Sequence, residues 1–109
     1  MTRDKGLEAL INDELDSVSG LTEKSMFGGW VWLLHGNLLC GARDEGLLVR
    51  LGKGQDAWAL DIDGVTPMYS GSRRMQGWVL AAPSVTADAV VRRRLLDRAL
   101  AFVRGLPRK

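Results

Sequence analysis

The chain has 109 residues, 46% of them apolar and 26% charged, with a formal net charge of +2. That length and composition suit one folded domain with a single core over 1–109 and exclude a disordered polymer. No apolar run approaches the ~20 residues a membrane span needs, and the first residues lack a secretory apolar core.

Residues 4–18 place Leu7, Leu10, Ile11, Leu15 and Val18 at helical spacing. Glu8, Asn12, Asp13, Glu14 and Asp16 fall on the other face, which predicts solvation for them. Thr2 or Asp4 serves as the N-terminal cap, and Gly20 as a left-handed C-terminal one. Leu21 to Ser25 reads as a linker. Met26 to Leu34, rich in aromatic and branched side chains, predicts a central strand with two apolar faces. Short turns at His35–Asn37 and Arg43–Gly46 lead to strands at Leu38–Ala42 and Leu47–Leu51. Turns this short permit only antiparallel neighbours.

A short helix anchored by Trp58 follows at 55–60. Two further strands are expected at 65–69 and 75–82, the first demoted to an edge by Pro67. Ser84 or Thr86 caps a final helix with Asp88 in its first turn. Val91, Leu95, Ala99, Phe102 and Leu106 form its apolar stripe, and Gly105 and Pro107 end it. The order α-β-β-β-α-β-β-α predicts an α+β two-layer antiparallel sheet with helices on one face. Trp30, Val31, Phe102 and Leu106 are expected in the core.

Chemistry-bearing motifs are sparse. One histidine, His35, and one cysteine, Cys40, fall short of a zinc ligand set, so no metal is expected. The chain has no glycine-rich phosphate loop, and Gly28–Gly29 precede a strand, so no cofactor is expected either. Those glycines suit a bulge or a close backbone approach.

Charge is uneven: residues 1–66 hold 11 acids and 6 bases, a net −5, and 67–109 hold 2 acids and 9 bases, a net +7. The run Arg92-Arg93-Arg94 spreads around a helix and predicts a solvated face partly paired through Asp97. Arg50 interrupts an apolar strand and shares a face with Leu48. With Arg73 and Cys40 it forms a ligand-binding hypothesis.

Met26-Phe-Gly-Gly29, Gly36-Asn37, Cys40-Gly41, Leu48-Val-Arg-Leu-Gly52, Pro67-Met68, Met75-Gln-Gly-Trp78 and the ending Ala101-Phe-Val-Arg-Gly-Leu-Pro-Arg-Lys109 together resemble the N-terminal domain of the TfoX/Sxy family in its stand-alone form. Met26, Phe27, Gly28, Gly29, Gly36 and Gly77 carry the motif. Arg74 departs from it, standing where proline is usual. The resemblance implies an α-β3-α-β2-α domain like the type III secretion chaperones. The family's full-length members are competence regulators with a further helical domain, and it offers no catalytic set to carry over.

These readings point to a bacterial, cytoplasmic, non-enzymatic regulatory or adaptor module acting through a protein partner. Alternatives are a nucleic-acid binder using the basic C-terminal half, and a small-ligand protein or enzyme near Arg50 and Arg73. The two apolar faces of the central strand also predict a homodimer, and no membrane association is expected.

Overall fold

The computed structural model describes residues 4–26 and 28–109. The Thr2 cap and the motif residue Phe27 lie outside the described residues. Helix α1 spans Lys5–Leu15, and the Asp4 carboxylate caps it by accepting from the Leu7 N–H at 3.0 Å. It ends earlier than the spacing predicts. Gly20, at φ 86°, serves the turn into the next strand rather than the helix cap.

Six strands follow: β1 Leu21–Met26, β2 Gly29–Leu34, β3 Asn37–Arg43, β4 Gly46–Arg50, β5 Val65–Ser70 and β6 Arg73–Ala81. Helix α2 is Ala57–Leu60, α3 is Pro83–Thr86 and α4 is Ala89–Arg104. All strand neighbours are antiparallel, in the order β1-β2-β3-β4-β6-β5. This is the predicted α+β order with one strand and one short helix added.

The expected linker is β1, paired with β2 from Leu21 opposite Leu34 to Met26 opposite Gly29. Its residues are mostly exposed, so the apolar alternation that announces a strand is missing. Met26 accordingly belongs to β1, and the central strand begins at Gly29. The final helix divides as well. Pro83 starts α3, and Asp88 caps α4 by accepting from the Val90 and Val91 N–H groups at 2.9 and 3.3 Å. Pro67 lies on edge strand β5, where its missing N–H is tolerated.

Directly opposed residues share a face of an antiparallel sheet. Trp32, Cys40, Val49 and Val79 therefore form one row across β2, β3, β4 and β6. They join the buried core with Ile11 of α1 and Leu95, Leu96, Ala99 and Val103 of α4. A bulge in β3 turns Leu39 and Cys40 both to this side. Val31 is buried, but Trp30, Phe102 and Leu106 only pack partly buried against the core.

The polar side of α1 is solvated at Asn12, Asp13 and Asp16 but not at Glu8 and Glu14. Glu8 is buried, and the Trp32 indole N–H donates to Asn12 Oδ1 at 2.9 Å. Glu14 holds two arginines of α4: Arg92 Nη2 at 3.1 Å and Arg93 Nε at 2.6 Å. Arg92 also donates to the Thr86 carbonyl at 2.7 Å.

Gly77 is the position that only glycine fills. Its φ is 84°, and a Cβ would overlap the Gly52 and Lys53 backbone. The approach is that close because the Leu51 and Gly52 N–H groups both donate to the Gly77 carbonyl, at 2.7 and 3.1 Å. Gly77→Ala is expected to cost about 1–3 kcal/mol through backbone strain. Leu95→Ala, at a site with no exposure, is expected to cost about 2–5 kcal/mol. Denaturant unfolding measures both. A loss under about 1 kcal/mol at Leu95 would mean that α4 does not dock on the sheet.

Candidate functional site

The helices cover one face of the sheet. On the other, Val31, Gly41, Leu48, Leu80 and Thr66 form a cross-strand row, and Arg50 opposes Trp78. Val31 and Leu48 are only 2% and 3% exposed in the single chain, so this face finds part of its cover within the chain itself. That weakens the expectation that a second copy must supply it.

The β5–β6 pairing slips between Pro67 and Tyr69, after which Tyr69 opposes Arg74. An open groove of about 780 Å³ results. Leu38, Leu48, Met68, Met75 and Trp78 line it with apolar surface, and Arg43, Lys53, Arg73 and Arg74 bring charge.

The register sets the layout of those charges. Arg43 opposes Gly46 at the start of β4, and Arg50 at its end opposes Trp78. Lys53 follows β4, while Arg73 and Arg74 open β6 beyond Trp78. Arg43 is thus at one end of the groove and the other three are at the opposite end. Along β4, four residues, about 13 Å, separate Gly46 from Arg50, and Arg74 and Arg73 stand four and five residues before Trp78 on β6.

Not all of these cations are available. Arg43 pairs with Glu45 at 3.1 Å and reaches Met68 Sδ at 3.9 Å. Arg74 pairs with Asp56 at 3.5 Å. Among the described residues, no carboxylate pairs with Lys53 or Arg73. Uncompensated positive charge therefore sits at one end of an apolar trough.

The three predicted ligand residues separate. Arg73 lines the groove. Arg50 stands behind it: its guanidinium lies 5.4 Å from the Trp78 ring and 5.7 Å from Phe102, and its Nη1 donates to the Leu38 carbonyl at 3.3 Å. Burial draws its pKa below the ordinary value. Its role is to brace Trp78 and Leu38. Cys40 is on the helix side, fully buried in the core. Desolvation pushes its thiol pKa far up, so no thiolate forms there at neutral pH.

Sequence reasoning missed Arg43, Lys53, Met68, Met75 and Trp78 as groove residues. The signal was the face shared by Leu48 and Arg50, but its extension needs the β4–β6 pairing. Of the motif glycines, Gly28 and Gly36 occupy turns at positive φ. Gly29 lets β3 approach, since a Cβ there would overlap the Ala42 carbonyl.

The basic run of α4 is engaged across helices rather than along its own. Arg92 and Arg93 hold Glu14, not Asp97. The Arg94 and Arg98 guanidinium groups lie 4.6 and 5.1 Å from the Trp58 ring. Among the described residues, no cluster of His, Cys, Asp and Glu has the makings of a metal site. No helix among them is long and apolar enough to cross a membrane.

A six-stranded antiparallel sheet, helices on one face and an open cation-rimmed groove on the other define an α+β two-layer domain. A family model described as the TfoX N-terminal domain matches residues 13–103, and the chain belongs to that family. Neither the curated proteins nor the solved structures gave a match.

Cys40 also links stability to pH. Its folded pKa is raised, so its stabilising contribution is fully present below the unfolded thiol's value of about 8.5. Above that pH the unfolded chain releases a proton that the folded chain retains. Stability should fall there by up to about 1.4 kcal/mol per pH unit. Urea unfolding between pH 7 and 10 measures the slope, and Cys40→Ala should remove this component. Equal slopes in both proteins would show that the thiol is not sealed.

Proposed function

We propose that this TfoX N-terminal domain is a non-enzymatic regulatory or adaptor module of the cytoplasm, acting through protein–protein contact at the helix-free groove. The observation that carries this reading is the groove's chemistry. Its lining has an apolar floor and four cations, with no carboxylate, histidine or cysteine among the described residues. Such a surface attracts and buries a partner, but offers no nucleophile–base pair to act on one. Methionines at two positions give it walls that adapt to different side chains.

Two alternatives have less support. A nucleic-acid interface needs free cations in a continuous track. Four arginines of α4 are already held by Glu14 or stacked on Trp58. A ligand site joining Arg50, Arg73 and Cys40 is split by the sheet itself, with Cys40 in the core beneath the helices.

The test compares wild type with the exposed double variant Lys53→Glu/Arg73→Glu in affinity purification from a native lysate. A stoichiometric partner held by wild type and lost by the variant is expected. Equal recovery by both would remove the groove from the interaction. Anisotropy with a labelled DNA duplex at about 50 mM salt should show no saturable binding at micromolar protein. Tight, steeply salt-dependent binding would instead favour the nucleic-acid reading.

A further inference from the structure

We infer that the groove's occupant is an extended peptide segment of a partner protein, in which carboxylates adjoin alternating apolar side chains. The inference rests on the protein-binding reading above and specifies the partner's chemistry.

Charge placement comes first. Lys53 and Arg73 have no carboxylate partner among the described residues, and both are at one end of the groove. The trough beyond them is apolar, floored by Leu48 and walled by Met68 and Met75. An anion at one end followed by apolar contacts is therefore the complementary ligand. Arg43 closes the far end already neutralised by Glu45, so a second anion is not demanded there.

Shape selects the kind of ligand. The site is an open groove, whereas small-molecule pockets bury most of their ligand's surface. The groove runs along strands, and alternate side chains of an extended segment laid in it point to one side. Two of every four would meet the floor. A second copy fits less well. A twofold pairing through the groove brings its cationic rim onto the same interface twice, and the groove lining offers no carboxylate to meet it.

The probe is a fluorescein-labelled octapeptide with two aspartates followed by alternating leucine and serine, titrated by anisotropy. Saturable micromolar binding is expected, weakened about tenfold or more by Lys53→Glu/Arg73→Glu and by raising salt from 50 to 300 mM. Lys53→Ala/Arg73→Ala should weaken it less, and unchanged melting curves establish that both variants fold. Replacing the leucines with serine should also abolish binding.

Undiminished binding to the charge-reversed variant would overturn the groove assignment. Undiminished binding of the all-serine peptide would reduce the site to bare charge attraction and overturn it too. No peptide binding, alongside a lysate partner that the double variant loses, would sink this segment chemistry and leave the adaptor reading standing. Sedimentation equilibrium should show a 12.0 kDa species. A dimer that the same charge reversal dissociates would assign the groove to a second copy instead.

Discussion

The Gly77 carbonyl accepts two hydrogen bonds, from the Leu51 and Gly52 N–H groups, and the far face of the sheet takes its shape from that junction. It ties the end of β4 to the middle of β6 at a distance that no side chain at position 77 permits. Beyond it, β6 parts from β4 and continues only with β5. The hairpin that carries Arg73 and Arg74 thereby runs on beyond the end of β4, and Lys53 is placed on the loop that follows β4. The groove is thus a consequence of backbone geometry, and its side chains decorate a shape already set.

The two faces solve different problems. Toward the helices, Trp32, Cys40, Val49 and Val79 are sealed by the stripe of α4 and by α1, with the Trp32 indole satisfied by Asn12. That side has its polar groups paired and serves stability. The opposite side keeps Trp78 and the two methionines half-buried, beside Lys53 and Arg73, which have no carboxylate partner among the described residues. Surface that is apolar, adaptable and incompletely neutralised is suited to recognition.

Much of the architecture was legible because it is local. Turns at His35–Asn37 and Arg43–Gly46 dictate an antiparallel meander, Pro67 marks an edge, and the spacing from Val91 to Val103 marks a helix with one buried side. Strand β1 was illegible because Leu-Thr-Glu-Lys-Ser-Met becomes a strand only through its pairing with β2. The groove was illegible for a related reason. Arg50 and Trp78 meet through strands far apart in sequence, and neither residue alone says which neighbour it will have. Glu14 misled in the same way: helical spacing puts it on a polar face, but does not say that Arg92 and Arg93 will arrive to cover it.

That clasp between Glu14 and Arg92 joins residues 78 positions apart. During synthesis, α1 and the first strands leave the ribosome long before α4 exists to cover them. Until then Trp32, Leu34, Leu39 and Val49 have no helix stripe above them, and Glu14 has no cation. The nascent chain is consequently a sheet whose hydrophobic side has only α1 to cover it, a sticky species that cannot close until its last turns of helix are made.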